Sequence, residues 1–334
     1  MKNASSQNQR IVISGAAPIA SVGIGREDFL EGLRENRAGL GASQRLTDAG
    51  GFAQVAECRD FVVEDYLESK KTYLDRCSEL ALAAAALAFA DAGLVWSELD
   101  GERIGLCLGT AYGCLESMTN HTARVQAKGL RFGSPMIFTH TMPNSPTALV
   151  AIEYGIHGPA GTFCAGSIAA ACALEFALRR LKSGDADFVL AGGCEALSVA
   201  LLGGLGGPER LGPDFVPGEG ACLFVLERMH TAAARGAEML AEIAAVGLAV
   251  ATEANPDAAL DAACAQAALT DRPAIFAPPA AYGHTFGTSV ALDICAALGS
   301  LKSDASCDCI AITGRSGLTG THAPAAAVII RSLT

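Results

Sequence analysis

Residues 158–182 read GPAGTFCAGSIAAACALEFALRRLK. The first residues of this stretch predict a short extended segment at 160–164, and the apolar residues that follow predict a long helix at 168–182. A second apolar run, DFVLAGG at 187–193, follows the helix and is typical of a buried strand. A strand, a helix and another strand in this order form the unit from which parallel sheets are built.

The same alternation continues on both sides of this unit. Further strands are predicted at 11–15, 103–109, 220–227, 240–249, 273–277, 309–313 and 325–330, and helices at 27–36, 71–92, 145–154, 257–269 and 289–301. The strands are continuous apolar runs, which is typical of sheets covered by helices. The fold class is therefore α/β, and no Pro-, Gly- or Ser-rich linker divides the chain.

Composition excludes several classes of protein. Hydrophobic residues make up 51% of the 334 residues and charged residues 18%, which favours a large core over disorder. The formal charge of −11 argues against a nucleic-acid partner, because phosphate contacts require a basic surface. An acidic protein partner would need a local basic patch. Two groups of side chains could supply one: Lys70, Lys71 and Arg76, or Arg124, Lys128 and Arg131.

The cysteines and the N-terminal residues indicate the cellular compartment in which the protein is expected. Several of the twelve cysteines lie inside apolar runs, as free thiols do. Residues 1–10 form a polar leader without the apolar core of a signal peptide, and no run is long enough to span a membrane. We therefore expect a cytoplasmic protein. Cys307 and Cys309 have no second pair at zinc spacing, so no metal site is expected.

Eight segments match, in order, the landmarks of one enzyme family. They are 11–23 (IVISGAAPIASVG), 74–76 (LDR), 103–113 (RIGLCLGTAYG), 134–158 (SPMIFTHTMPNSPTALVAIEYGIHG), 158–167 (GPAGTFCAGS), 184–195 (GDADFVLAGGCE), 214–221 (DFVPGEGA) and 283–287 (GHTFG). Together they resemble the β-ketoacyl-ACP synthase (ketosynthase) family and cover most of the chain.

The resemblance implies a fold and partners. The expected fold is thiolase-like, with two similar mixed-sheet halves in five αβαβα layers: an N-terminal half at 11–235 and a shortened C-terminal half at 236–334. The family works without a cofactor, accepts acyl groups from an acyl carrier protein, and forms homodimers or heterodimers with another ketosynthase. Its acyl tunnel and dimer face would include Phe138, Met142 and Asn144.

The resemblance also places the catalytic residues. Cys164 stands at the nucleophile position and His284 in one of the family's two histidine motifs. Acyl transfer needs a thiolate, and the start of the following helix would lower the pKa of the Cys164 thiol. The alternatives are a buried structural cysteine and a histidine satisfied in the core. The flanking residues favour the catalytic positions.

The C-terminal loop at 317–322 (GLTGTH) loosely resembles the family's glycine loop. By that resemblance the backbone N–H of Leu318 would form an oxyanion hole with the N–H of Cys164. Leu318 stands where the family has Phe, and His322 where it has Asn. His322 is a possible substitute donor.

One departure bears on mechanism. Residues 247–283 contain no histidine and no lysine, so the family's first histidine motif is absent, and Pro279 or a neighbour replaces its active-site lysine. The segment is shorter by about one strand–helix unit of tens of residues. Losing one donor to an enolate oxygen typically costs about 10²–10³ in rate. Decarboxylative condensation is therefore doubtful, whereas acylation of Cys164 is affected less.

Three functions remain open at this point. The first hypothesis is that the protein is a ketosynthase-like enzyme of fatty-acid or polyketide biosynthesis that is acylated on Cys164. Alternatively, it is a non-condensing subunit similar to a chain-length factor, which pairs with a full ketosynthase. A third hypothesis is a transacylase or hydrolase of acyl thioesters that uses Cys164 and His284 alone.

Overall fold

The computed structural model describes residues 10–303, 308–316 and 323–333. Its strands are β1 (Ile11–Ala20), β2 (Gly23–Ile24), β3 (Ile104–Thr110), β4 (Ala160–Cys164), β5 (Phe188–Glu195), β6 (Gly220–Arg228), β7 (Ala241–Ala251), β8 (Ala274–Ile275), β9 (Cys309–Arg315) and β10 (Ala323–Arg331). Its helices are α1 (Arg26–Arg34), α2 (Arg76–Asp91), α3 (Leu115–Lys128), α4 (Pro135–Phe138), α5 (Ser145–Glu153), α6 (Ala169–Ser183), α7 (Val199–Leu205), α8 (Gly207–Leu211), α9 (Met229–Ala234), α10 (Ala258–Gln266) and α11 (Ser289–Ser303).

The strands form a mixed sheet in the order β4-β3-β5-β6-β1-β7-β10-β9-β8, with β2 paired to β1. β3 runs parallel to both β4 and β5, whereas β6 runs antiparallel to β5 and β1. β1 joins β7 through only two residue pairs, Val12 with Glu242 and Ile13 with Ala241. The sheet thus consists of a larger N-terminal part and a smaller C-terminal part with a short junction.

Helices cover both parts in five layers. α6 contacts β3 and β5 on one side and β7 and β10 on the other, and α11 contacts β9 and β6. These two helices therefore occupy the middle layer, where Leu174, Phe224 and Ile294 are buried in a shared core. α2 and α5 pack outside the N-terminal part, and α10 packs outside the C-terminal part. This arrangement confirms the predicted thiolase-like fold. The boundary between 235 and 236 stays a prediction.

Some predicted boundaries were wrong. The helix expected over 71–92 begins only at Arg76, because the Asp75 carboxylate accepts a hydrogen bond from the Cys77 N–H at 3.0 Å and caps the first turn. Tyr73, just before it, has φ +63°, which no helix residue adopts. The strand expected at 273–277 shrinks to Ala274–Ile275. Prolines at 273 and 278 lack the N–H that a longer ladder needs.

Within the described ranges, no helix is both long and apolar enough to cross a membrane.

Candidate active site

The candidate site lies where three parallel strands end. Thr110, Cys164 and Glu195 are the last residues of β3, β4 and β5, and Thr110 pairs with Cys164 across the ladder. Parallel strands end at one edge of a sheet, and ligands of α/β proteins bind at that edge. The fold therefore gathers a thiol, a hydroxyl group and a carboxyl group at one place.

Cys164 is the one exposed cysteine among the eleven in the described residues. After it the chain turns through Gly166, at φ +57°, into a 3-10 turn at Gly166–Ile168 that leads into α6. A Cβ on Gly166 would lie 2.1 Å from the Ser316 Oγ, and the left-handed backbone angle favours glycine. Ser316 thus lies against the turn at Gly166–Ile168.

The expected lowering of the thiol pKa is wrong. Partial burial, and then the charges of Glu195 and Cys194, raise the pKa of the Cys164 thiol above its ordinary value. The helix gives little help because α6 begins only at Ala169, and the effect of a helix dipole falls off within about one turn. Ionisation of this thiol must therefore be assisted when substrate is bound.

Glu195 is a functional residue that the sequence reasoning missed. Its fully buried carboxyl group accepts hydrogen bonds from the N–H groups of Ala111, Tyr112 and Gly287 at 2.6, 3.1 and 3.1 Å, and from the Thr110 hydroxyl at 3.2 Å. Burial raises the pKa of Glu195 to about 7, although these donors oppose the rise. The carboxyl group ties the turn after β3 to the turn after His284. The sequence signal that could have identified Glu195 is a carboxylate at the end of a buried apolar strand.

Neighbouring backbone holds His284 in place. Its N–H donates to the Val216 carbonyl at 2.8 Å, and its own carbonyl accepts from the Gly218 N–H at 2.9 Å. The segment at 214–221 therefore positions the histidine. Phe286, which adopts φ +47°, packs its ring 4.8 Å from the imidazole centroid. A left-handed aromatic residue is strained, and such strain is concentrated at functional sites.

The imidazole has one preferred tautomer. The Phe286 N–H donates to Nδ1 at 3.3 Å, so the neutral ring carries its proton on Nε2. Nε2 lies 3.4 Å from the Ser167 Oγ, and the turn at Gly166–Ile168 contacts the turn at Phe286–Thr288. The structure thus brings the predicted Cys164 and His284 segments together through Ser167. Burial lowers the pKa of His284 to about 4, which keeps the ring neutral near pH 7.

His284 also lines a cleft of about 540 Å³. Pro279, at the position expected for the family's lysine, lines this cleft together with Asp214, Tyr282, Ser289 and Asp293. The Tyr282 hydroxyl donates to Asp293 Oδ1 at 2.6 Å, and burial raises the pKa of Asp293 to about 7. In the part of the chain that the structure describes, no group of three or more His, Cys, Asp or Glu side chains could hold a metal ion.

The sequence model described as beta-ketoacyl synthase, N-terminal domain, matches residues 8–205. The chain belongs to the β-ketoacyl synthase family. Its curated relatives include the 3-oxoacyl-[acyl-carrier-protein] synthase 2 of Staphylococcus aureus (strain COL), which is 28% identical over 261 residues. That match covers 72% of this chain and 63% of the relative, so the chain spans less than two thirds of the relative's length.

Solved structures of ketosynthases share the fold. The ishigamide ketosynthase/chain length factor superposes with a TM-score of 0.83 at 21% identity, over 97% of this chain and 99% of the other. A type II ketosynthase in complex with its acyl carrier protein and bound to the hexaketide gives 0.79 at 19% identity, over 97% and 99%.

The other ketosynthase residues expected from the sequence have different outcomes. Phe138, Met142 and Asn144 are exposed on and after α4, and their role in an acyl tunnel or dimer face stays a prediction. Leu318 and His322 lie outside the described residues. The first of the two basic groups is not a free patch. Lys71 pairs with Glu153, and Arg76 pairs with Glu219 at 3.0 Å.

Proposed function

We propose that this member of the family accepts an acyl group on Cys164 from the thioester of an acyl carrier protein, and that it carries out little decarboxylative condensation. The observation that carries the proposal is the exposed Cys164 at the carboxyl edge of the sheet, followed by a turn that contacts the turn after His284 and places Ser167 3.4 Å from the Nε2 of that histidine. Every other cysteine in the described ranges is buried or half-buried. Buried thiols are generally inert.

The proposed transfer follows from the tautomer of His284. The Cys164 sulfur attacks the acyl carbonyl carbon, a new C–S bond forms, and the carrier thiolate leaves and takes up the proton lost by Cys164. Because Nδ1 already accepts a hydrogen bond, Nε2 carries the proton, and it can donate to the carbonyl oxygen as it becomes negative, in place of the Ser167 hydroxyl. His284 therefore acts as a donor. The backbone N–H groups of Cys164 and Leu318 are the proposed oxyanion hole.

Two features argue against efficient condensation. Condensation removes CO₂ from a malonyl thioester and creates an enolate, which one histidine donor stabilises less than two. The cleft beside His284 has two carboxyl groups, those of Asp214 and Asp293, and no Lys or Arg among its described lining residues. Such a cleft offers no cationic side chain to bind a malonyl carboxylate.

The test is intact-mass detection of the acyl-enzyme. The protein is incubated with acetyl and octanoyl thioesters of acyl carrier protein. We expect an adduct that Cys164→Ala abolishes and that the matched control Cys172→Ala, at a half-buried cysteine, retains. Absence of any adduct, or an adduct that persists in Cys164→Ala, contradicts the proposal. Steady release of free acid would instead favour the hydrolase.

A second candidate is a non-condensing subunit that pairs with a full ketosynthase, as a chain-length factor does. Large apolar side chains are exposed around α4, namely Leu130, Phe132, Met136, Phe138 and Met142; we call them the α4 surface. β4, which follows α4 and α5 along the chain, pairs only with β3 among the described strands. Apolar patches and open strand edges are typical of interfaces. Failure to co-purify with a co-expressed ketosynthase contradicts this candidate.

Partners and location complete the proposal. The carrier protein would dock at the exposed side chains of Arg124, Lys128 and Arg131, since the other basic group is paired. The protein would act in the cytoplasm, as a homodimer or with a second ketosynthase, in fatty-acid or polyketide biosynthesis.

A further inference from the structure

Glu219 is a fully buried carboxylate that the proposed acyl transfer does not use. It lies directly before β6 and accepts hydrogen bonds from four residues in separate segments. Its Oε1 accepts from Arg76 Nη2 at 3.0 Å and from the Cys58 N–H at 3.2 Å, while Oε2 accepts from Arg45 Nη2 at 3.3 Å and from the Leu197 N–H at 3.2 Å. A buried charge is stable only when opposite charges and hydrogen bonds compensate it. These contacts therefore fix Glu219 relative to the segments that supply them.

The backbone beside Glu219 carries His284. The Gly218 N–H donates to the His284 carbonyl at 2.9 Å, and the His284 N–H donates to the Val216 carbonyl at 2.8 Å. On the other side of this segment, the Glu219 N–H donates to the Ala56 carbonyl at 3.0 Å. The segment thus lies between Ala56 and the histidine, and the carboxylate of Glu219 sets its position.

The segment around Gly218 and the segment around His284 are in close backbone contact. A Cβ on Gly218 would lie 2.4 Å from the Tyr282 carbonyl oxygen, and a Cβ on Gly283 would lie 2.7 Å from the Val216 carbonyl oxygen. Close-packed interiors transmit displacements because they have little free space to absorb them. A shift of Gly218 is therefore passed on to the histidine.

Glu219 is also connected to the far end of the same turn. Leu197, whose N–H donates to Glu219, lies two residues after Glu195. The Glu195 carboxyl group in turn accepts from the Gly287 N–H at 3.1 Å. Both ends of the turn that begins at His284 are thus connected to this one carboxylate.

We propose that Glu219 is a positioning residue, which holds His284 so that Nε2 points at the acyl carbonyl oxygen during transfer to Cys164. This rests on the proposed acylation of Cys164 and names the group that aims its donor. The Glu219 carboxylate contacts Arg45 and Arg76, so it acts on the histidine through the backbone. Loss of the carboxylate therefore slows the chemical step and leaves binding of the acyl donor unchanged.

The first test compares Glu219→Gln with the wild type. Glutamine keeps the size of the side chain, but its NH₂ group replaces one acceptor oxygen, so one arginine and one N–H group lose their partner. With the octanoyl thioester of acyl carrier protein, we expect the maximal rate of Cys164 acylation to fall by about tenfold or more, because a misplacement of about 1 Å can cost about 10²-fold. The donor concentration at half-maximal rate stays unchanged.

Glu227→Gln is the matched control. Glu227 lies near the opposite end of β6, is also fully buried, and pairs with Arg235 at 2.7 Å. Breaking a buried ion pair costs stability, so urea denaturation should show that both variants are destabilised. Acylation nevertheless stays at the wild-type rate in Glu227→Gln, because this glutamate lies far from the His284 turn.

A double variant separates positioning from a general structural effect. Because Glu219 acts through His284, Glu219→Gln should slow acylation no further in a His284→Ala background. A second readout is the pKa of His284, measured by NMR titration of the signals that disappear in His284→Ala. Burial holds this pKa at about 4. In Glu219→Gln it should rise by about one pH unit or more, since a loosened turn admits water, and in Glu227→Gln it should not change.

An unchanged acylation rate in Glu219→Gln, or an equal loss of rate with and without His284, overturns the inference. If the wild type takes up no acyl group, the proposed function has failed instead, and an unchanged His284 pKa in Glu219→Gln then overturns the inference by itself. If Glu219→Gln does not fold, the half-buried Arg45 is changed to lysine. Arg45→Lys should slow acylation by about threefold or more, and only when His284 is present, because lysine lacks the planar fork that contacts Glu219 and the Leu197 carbonyl.

Discussion

Three ionisable side chains at the site are buried: His284, Glu195 and Asp293. Burial shifts the pKa of the histidine and those of the carboxyl groups in opposite directions, and in each case it favours the neutral form. Burial holds the imidazole neutral by lowering its pKa to about 4, and favours neutral carboxyl groups by raising both of theirs to about 7. The site is therefore poorer in charge near pH 7 than its residue types suggest. The proposed chemistry therefore depends more on the geometry of the hydrogen bonds than on charged side chains.

The pKa of His284 predicts a pH-dependent stability. The folded pKa of about 4 lies below the ordinary value of 6.5, so stability is fully present above pH 6.5 and is lost as the pH falls towards 4. A difference of this size corresponds to at most about 3 kcal/mol. We expect the difference in unfolding free energy between wild type and His284→Asn to grow from pH 4.5 to 6.5, measured by urea denaturation. His157→Asn, which removes an exposed imidazole, is the control. Equal slopes in both variants contradict the expectation.

At the scale of elements, one carboxylate organises the starts of two helices. Asp75 Oδ1 accepts from the Cys77 N–H in the first turn of α2 at 3.0 Å, and Oδ2 accepts from the Ser117 N–H in the first turn of α3 at 2.9 Å. The first-turn N–H groups of a helix have no partner within the helix. A single buried side chain thus sets the relative position of α2, in the outer layer, and α3, which leads to the α4 surface.

We expect Asp75→Ala to lower the free energy of unfolding by about 2–3 kcal/mol, because it leaves one buried and one partly buried N–H group without acceptors. Thermal or urea denaturation measures the loss. The control is Asp100→Ala, where the carboxylate accepts only from the Glu102 N–H in an exposed turn. A loss no larger than that of the control would show that water replaces the cap.

The same elements show what a sequence can predict. The strands at 103–109, 187–193 and 220–227 were predicted almost to the residue, because each is a continuous apolar run with turn residues at its ends. Cys164 and His284 were found through local motifs. Glu195 was missed because its contacts depend on partners far along the chain, such as Gly287. The cleft has no sequence signal, since its lining comes from segments more than 200 residues apart.

At the scale of the whole molecule, the α4 surface and the open edge of β4 argue for association. Leu130 is 86% exposed and Met136 62% exposed, which leaves apolar area in water that a partner would cover.

We expect a double variant, Met136→Glu with Phe138→Glu, to abolish dimerisation or pairing with a ketosynthase, because charges on an apolar interface remain unpaired. Light scattering after size exclusion, alone and with the co-expressed partner, measures the outcome. Both side chains are exposed, so the unfolding free energy should change by no more than about 0.5 kcal/mol. Val62→Glu, at a separate exposed valine, is the control. Unchanged association in the double variant contradicts the assignment of this surface.

The position of Cys164 on β4 has a kinetic consequence. Among the described strands, the backbone that carries this sulfur is held by β3 alone. If a partner strand pairs with the open edge, as the proposed association implies, it immobilises this backbone further, and by mass action the immobilised share of Cys164 rises with protein concentration. The acylation rate per Cys164 is then a property of the solution as well as of the chain. Dilution below the dissociation constant lowers it with no inhibitor present.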